Sequence, residues 1–378
     1  MTPCYWAGYL PAMNKPLAME PAVVPHLRHA LLAHYDRFGR DLPWRESTDP
    51  YRVLISEFML QQTRVATVER YYDAWLERFP DLQSLASAEE DDVLKAWEGM
   101  GYYRRAKNLR KAAVMIVHEH GGVFPATHDD LSKLPGVGAY TAGAIASIAF
   151  GEVVPAVDGN VKRVLARVCD EVDPRPPWLK RAAERLVDPE RPGDWNQALM
   201  ELGATICTPR RPKCSECPVQ SWCQAKEMGT QLDRPGGSTR AAVRTESVAV
   251  GVFHDGHRVL LVRRPDDGLL GGMWAFPELP SLETVEASPH TDLFSFARES
   301  GLSPVGEAMV LPEVRHKFSH IEMTYRPGSC RVAPTKSPAA TLGEHAWINP
   351  ADTTDYAIPV AQRKILDSWM AEQAGAGQ

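Results

Sequence analysis

Leu134-Pro135-Gly136-Val137-Gly138-Ala139-Tyr140-Thr141-Ala142 sets two glycines in a tight turn at the start of a predicted helix. Glycine lets backbone N–H groups come close to a phosphate, and a helix opening at Ala139 points its positive end to the same place. Asp158 follows in Val157-Asp158-Gly159-Asn160-Val161, a glycine-bearing turn with a helix start of its own. A phosphate grip at Gly136 and Gly138 beside a lone carboxylate points to chemistry on a sugar–phosphate backbone. The first motif alone leaves room for an ordinary glycine turn, and the Asp-Gly-Asn turn narrows that room.

Glu57 is the single carboxyl in the apolar run Val53-Leu54-Ile55-Ser56-Glu57-Phe58-Met59-Leu60. Desolvation disfavours the carboxylate, so Glu57 can hold a proton near neutrality. Asp158 is expected to stay ionised, because N–H groups at a helix start favour an anion. Cys207, Cys214, Cys217 and Cys223 stand as C-x6-C-x2-C-x5-C, while Cys4, Cys169 and Cys330 are scattered. Four thiols this close together favour a metal over disulfides in a reducing compartment. Spacing alone does not separate zinc from an iron–sulfur cluster.

These groups need elements to hold them. Residues 26–228 read mainly as helices: apolar residues recur at three- and four-residue steps in His26 to Phe38, Tyr51 to Phe79 (broken near Gln61-Gln62-Thr63), Ala106 to His120, Thr141 to Phe150 and Asn160 to Cys169. Thr63 and Asp194 are expected N-caps. Residues 229–244, with Pro235-Gly236-Gly237-Ser238, read as a linker. Beyond it the pattern changes to short strands, Ser247 to Phe253, Val259 to Arg263 and Ile321 to Tyr325, with an Asp255-Gly256 hairpin turn and a helix near Asp292 to Glu299. Residues 245–368 thus form an α+β domain, with 369–378 a tail and 1–25 an expected disordered extension, in which Met13 and Met19 are alternative starts.

The chain is long enough for two or three domains, and 44% apolar residues suffice for packed cores. No apolar run reaches the roughly 18 residues of a membrane span. Residues 1–25 do not read as a secretory signal, so a cytoplasmic protein is expected. The net charge of −6 argues against a uniformly basic nucleic-acid binder. Any grip on a polyanion is therefore local. Arg104, Arg105, Lys107, Arg110 and Lys111 form one patch, and Arg210, Arg211 and Lys213 another. Such runs are more often solvated helix faces, and their weight comes from lying near the motifs.

The hairpin sequence LPGVGxxTA together with VDGNV resembles the helix-hairpin-helix, Gly/Pro-rich, Asp superfamily of DNA base-excision enzymes, to which endonuclease III belongs. In the lyase branch a lysine stands where this chain has Tyr140. A phenol with a pKa of about 10 is a poor substitute for an amine that must form a Schiff base. The resemblance is therefore to the branch that cuts only the glycosidic bond, and within it to the MutY-type adenine DNA glycosylases. It implies a multidomain protein: an all-α helix-hairpin-helix core carrying one [4Fe–4S] cluster on Cys207, Cys214, Cys217 and Cys223, plus a Nudix-like C-terminal domain. It implies duplex DNA with adenine opposite 8-oxoguanine or guanine as substrate, no membrane, and a monomer acting on nucleoid DNA if the source is a bacterium.

The same resemblance implies roles. Glu57 would protonate adenine N7, and Asp158 would face C1′ of the flipped nucleotide, with Asn160 and Tyr140 orienting it. Trp44, Arg45, Leu60 and Gln197 match positions lining the adenine pocket; Gln197 stands where some relatives carry glutamate. Gln62 would wedge beside the flipped base and Tyr102 beside the opposing lesion. Phe318-Ser319-His320 resembles the loop that reads 8-oxoguanine, whose N7–H donor replaces guanine's acceptor. Gly271-Gly272-Met273-Trp274-Ala275-Phe276-Pro277-Glu278 resembles the opening of a Nudix box, but Leu279 to Pro289 lacks the acidic cluster that would hold divalent metals. The domain therefore reads as a recognition module. Three rivals remain: a glycosylase for mismatched thymine, opposed by the Phe318 loop; a non-catalytic damage binder, opposed by Glu57 and Asp158; and a nucleotide hydrolase in residues 245–365, opposed by the missing glutamates.

Overall fold

The computed structural model describes residues 20–237, 243–280, 289–318, 321–333 and 342–376, apart from the side chains of 289–292 and 375–376. In chain order its first twelve helices are α1 (Val24–Phe38), α2 (Pro50–Leu60), α3 (Val65–Arg78), α4 (Leu82–Ser87), α5 (Glu90–Ala96), α6 (Arg104–Glu119), α7 (His128–Leu131), α8 (Ala139–Phe150), α9 (Gly159–Val168), α10 (Pro176–Leu186), α11 (Pro192–Thr205) and α12 (Gln224–Glu227). The chain forms two compact units. One is Met1–Ala86 with Lys111–Thr239, and the other is Ser87–Arg110 with Arg240–Gln378. No helix among the described residues is long and apolar enough to cross a membrane.

In the first unit, α2 starts where Asp49 accepts a bond from the Arg52 N–H at 3.0 Å and Pro50 occupies the first turn. It ends as the chain turns through Gln61-Gln62-Thr63, with Gln62 in the left-handed region at φ 57°. Thr63 is not an N-cap: α3 begins at Val65 after Arg64, without a side-chain cap. Asp194 is not one either. Pro192 starts α11 two residues earlier, and Asp194 sits inside its first turn, paired with Arg191 at 2.8 Å, where a carboxylate also suits the helix dipole. Helices α1, α9, α10 and α11 share one core, with Leu27, Leu31, Val164, Leu165, Trp178, Ala182, Trp195 and Leu199 buried together. Each fully buried Leu or Val there contributes roughly 1.5–3 kcal/mol. Burial of Val24 and Leu27 makes α1 begin within the expected disordered extension.

The stretch read as a linker is in large part packed. The Gly236 N–H donates to Val172 O at 2.8 Å, Arg234 pairs with Asp170 at 2.8 Å, and Arg167 donates to Arg234 O at 3.1 Å. Residues 238–242, including Ser238, lie outside the described residues.

The second unit contains β1 (Arg244–His254), β2 (Val259–Arg263), β3 (Trp274–Ala275), α13 (Pro289–Glu299), β4 (Pro304–Val310), β5 (Val314–Lys317), β6 (Ile321–Val332), β7 (His345–Ile348) and α14 (Val360–Ala376). The sheet order is β3-β2-β1-β6-β4, with β5 also paired to β6 and β7 to β2. Strands β1 and β6 run parallel from Arg244↔Ile321 to His254↔Arg331. Strand alternation sends Val250, Val252, Val259 and Leu261 into one core with Ile365 and Trp369 of α14. Phe253 and Leu260 enter another with Leu293 and Ala297 of α13. Strand β6 outruns its expected end at Tyr325, because Pro327-Gly328 reads as a break. Pro327 is tolerated on that side of β6 because it falls between the end of β4 at Val310 and the start of β5 at Val314.

Residues 87–110 belong to this unit through long-range polar contacts. Lys95 Nζ donates to Thr353 O at 2.9 Å and Tyr356 O at 3.1 Å and pairs with Glu98 at 2.6 Å, while Arg363 holds Glu98 at 2.6 Å. Lys107 bridges Glu90 at 2.9 Å and Asp266 at 2.6 Å. The box residue Glu278 is engaged by Arg264.

Candidate active site

A cavity of about 180 Å³ in the first unit is lined by Arg40, Trp44, Arg45, Glu57, Leu60, Tyr140, Asp158, Asn160, Gln197, Met200 and Glu201, among others. Residues from α2, α8, α9 and α11, far apart in the chain, therefore meet at one place. The expected pocket residues Trp44, Arg45, Leu60 and Gln197 all lie there with the two expected carboxyls.

Glu57 is 5% exposed, and its Oε2 is buried without a hydrogen-bond partner. Burial pushes its carboxyl up to about 7, the Tyr140 hydroxyl draws it back in part, and the Asp158 charge raises it again. Asp158 is the N-cap of α9. It accepts the Val161 N–H at 2.7 Å on Oδ1 and the Asn160 Nδ2 at 2.8 Å on Oδ2. These donors favour its charged form, as the sequence suggested, yet burial outweighs them and the net shift is upward from its ordinary value. Tyr140, in the first turn of α8, donates its hydroxyl to Met200 Sδ at 3.1 Å, and burial with the two nearby carboxyls holds its phenol far from ionisation.

Sequence reading missed the floor of this cavity. Glu201 is buried and accepts Arg40 Nε at 2.7 Å, Arg40 Nη2 at 2.8 Å and Arg45 Nη2 at 2.9 Å. Two guanidiniums on one carboxylate pull its pKa below the ordinary value against the burial that would raise it. It missed Gly203 too. A Cβ there would stand 2.6 Å from Asn160 Cβ, so only glycine lets α11 lie this close to the residue that holds Asp158. Asn160 is further fixed by Arg163 Nη2, which donates to its Oδ1 at 2.8 Å and to Gly203 O at 2.8 Å, while Arg163 Nε reaches Cys207 O at 2.8 Å.

Other expected residues lie elsewhere. Gly136, at φ 77°, and Gly138, the residue before α8, belong to the hairpin turn, and nothing stands within 4 Å of where a Gly138 Cβ would be. Gln62 is exposed at the break after α2, and its neighbour Gln61 donates to Thr141 Oγ1 at 3.1 Å. In the second unit, Tyr102 and Phe318 line one cavity of about 260 Å³ with His316, Lys317 and Leu269. Tyr102 is a non-glycine residue at φ 51°, which costs on the order of 1–3 kcal/mol. Ser319 and His320 lie outside the described residues, as does most of the expected Nudix-box segment Leu279 to Pro289.

Cys207, Cys214, Cys217 and Cys223 line a single small cavity with Arg167, Ile206 and Pro212. Four thiols around one cavity are a donor set that fits an iron–sulfur cluster. Buried Arg167 supports that fit. It donates to Cys207 Sγ at 3.3 Å and to the carbonyls of Cys207, Thr208 and Pro209, and none of these contacts is a carboxylate. A cluster held by these thiolates would place negative charge beside the Arg167 guanidinium.

Known proteins resemble this chain. Residues 55–189 match the family of HhH-GPD superfamily base excision DNA repair proteins, 207–223 the iron-sulfur binding domain of endonuclease III, and 248–368 the NUDIX domain. The adenine DNA glycosylase of Homo sapiens is 38% identical across 95% of this chain and 77% of its own length. That of Mus musculus is 40% identical across 95% and 81%. The chain belongs to the adenine DNA glycosylases. This glycosylase also resembles the structure of a thermostable thymine-DNA glycosylase, 30% identical, with a TM-score of 0.52 over 55% of this chain and 98% of that one. As a DNA glycosylase of base-excision repair, the protein hydrolyses the N-glycosidic bond of adenine in DNA and carries one [4Fe–4S] cluster in its iron-sulfur binding domain, residues 207–223. When bound, the cluster supplies a rigid staple for the loop Thr208–Lys213.

Proposed function

We propose that this glycosylase removes adenine paired with 8-oxoguanine, and with guanine, and that it releases the base without cutting the strand. The observation that carries this reading is the pair of carboxyls in one cavity with Tyr140 where a lyase needs an amine. The cavity has room for one nucleobase, and its reacting bond is reached only once the nucleotide has left the stack. Glu57 delivers its proton to adenine N7, making the base a neutral leaving group. Asp158, as a carboxylate, faces C1′ as positive charge grows there and either pairs with that charge or bonds to it transiently. Asn160 and Tyr140 orient Asp158 and the water, while Trp44, Arg45, Leu60 and Gln197 hold the base. Gln62 fills the space left beside the flipped nucleotide, and Gly136 and Gly138 offer N–H groups to a phosphate.

Tyr102 enters the duplex beside the opposing base, and Phe318, Ser319 and His320 read it. The enzyme works as a monomer in the cytoplasm, on nucleoid DNA where the source is a bacterium. Single-turnover cleavage of duplexes carrying A:8-oxoG, A:G, T:G and A:T, with and without alkali, tests the reading. Breaks on the first two pairs that need alkali are expected. Alkali-independent breaks would overturn the glycosylase-only chemistry, and release of thymine from T:G would overturn the base choice.

A further inference from the structure

The chain between α5 and α6 turns through three left-handed residues, Gly99 at φ 93°, Gly101 at φ 74° and Tyr102 at φ 51°. Glycine adopts this backbone freely; tyrosine does so only where its surroundings impose it. Tyr102 is also 45% exposed, so packing of its own ring does not explain the posture. The restraint comes from within the same segment. Arg105, only 8% exposed, donates Nη2 to Gly101 O at 3.0 Å, and Trp97 Nε1 donates to the same carbonyl at 3.1 Å. The Gly99 N–H donates to Tyr103 Oη at 3.0 Å. The Arg105 guanidinium carbon lies 5.4 Å from the Tyr102 ring centroid and 5.1 Å from that of buried Trp97. One planar cation thus holds both the carbonyl that precedes Tyr102 and its ring.

We propose that Arg105 is a positioning residue for Tyr102, presenting its ring outward as a preformed wedge for the duplex. This rests on the reading of Tyr102 as the side chain that enters beside the opposing base. The neighbouring cation Lys107 is committed differently, to Glu90 and Asp266. A guanidinium suits the task because its flat fork bonds a carbonyl while its face covers an aromatic ring, and an ammonium does not combine the two. A wedge already in place spares the ordering that a mobile tyrosine would undergo on binding, so the gain falls on affinity for the mispair and not on the bond-breaking step.

The test is a double-mutant cycle on the full-length, cluster-loaded enzyme. It reads the Kd for a duplex with a non-hydrolysable adenosine opposite 8-oxoguanine, and the single-turnover rate at saturating protein. Tyr102→Leu is expected to weaken binding about tenfold or more. Arg105→Lys is expected to weaken it about tenfold, with the saturated rate changed less than twofold, and to add nothing in the Tyr102→Leu background. Equal losses from Arg105→Lys in both backgrounds would overturn the proposal while leaving the wedge reading intact. No effect of Tyr102→Leu would overturn the wedge reading and the proposal with it. Should Arg105→Lys not fold, 3,4,5-trifluorophenylalanine at position 102 keeps a flat ring and weakens its attraction for the cation. The same tenfold loss supports the proposal, and unchanged binding overturns it.

Discussion

Replacing Glu57 by glutamine should cripple the enzyme and stabilise it, and the stabilisation should depend on pH. In the folded state burial raises this carboxyl from its ordinary 4.5 to about 7. The folded protein therefore holds a proton that the unfolded chain has released, and stability falls as pH rises between those values. The cost is about 1 kcal/mol at pH 5 and reaches about 3 kcal/mol by pH 8, where both states are ionised. The amide of Glu57→Gln would keep the shape and remove the titration, so the advantage of the variant should grow by about 2 kcal/mol between the two pH values. For a unit of this size, that is a rise of about 4–8 °C in the difference between their melting midpoints. Thermal melts of both proteins with intact cluster, at pH 5 and pH 8, measure it, and contributions common to both proteins cancel. Single-turnover base release should meanwhile fall about 10²–10⁴-fold. A variant destabilised equally at both pH values would refute the claim that Glu57 sits desolvated and protonated.

Asp158→Asn should keep lesion binding, because its cap and cavity shape survive, and lose base release; near-normal turnover would remove Asp158 from its role. Gly203→Ala should push Asn160 away, slowing the saturated single-turnover rate about tenfold or more while leaving the Kd for mispaired duplex within about threefold. A change confined to Kd would show that α11 does not set Asp158 through Asn160. The purified protein should be yellow-brown with broad visible absorbance and should hold about four irons per chain, as the cluster composition requires; a colourless, zinc-loaded protein would contradict the cluster.

Much of the site was legible because its signals are local. Gly136, Gly138, Tyr140 and Thr141 lie within one turn, Asp158 and Asn160 within another, and the four cysteines within one loop. Glu57 stood out as a charge in an apolar run, which is a statement about desolvation that burial then fulfils. Glu201 and Gly203 were illegible for the opposite reason. Glu201 gains meaning only from Arg40 and Arg45, 161 and 156 positions away, and Gly203 only from the approach of α9. In the fold, helical and strand periodicity located α1, α2, α3, β1 and β2, but nothing local states that β1 pairs in parallel with β6. The allegiance of residues 87–110 was hidden too, since Lys95 meets Thr353 and Tyr356 from the far side of the chain, 258 and 261 positions away. Thr63 and Asp194 misled as caps because Pro192 starts α11 two residues before Asp194, and α3 starts after Arg64 with no side-chain cap at all.

The pH dependence of single-turnover adenine release from an A:8-oxoG duplex tests most directly whether one protonated and one ionised carboxyl act together. The rate should rise with pH while Asp158 ionises, then fall about tenfold per pH unit above about 7 as Glu57 loses its proton. The descending limb should vanish in Glu57→Gln. A profile that stays flat through pH 7 to 9, or a descending limb that survives the substitution, would contradict the account.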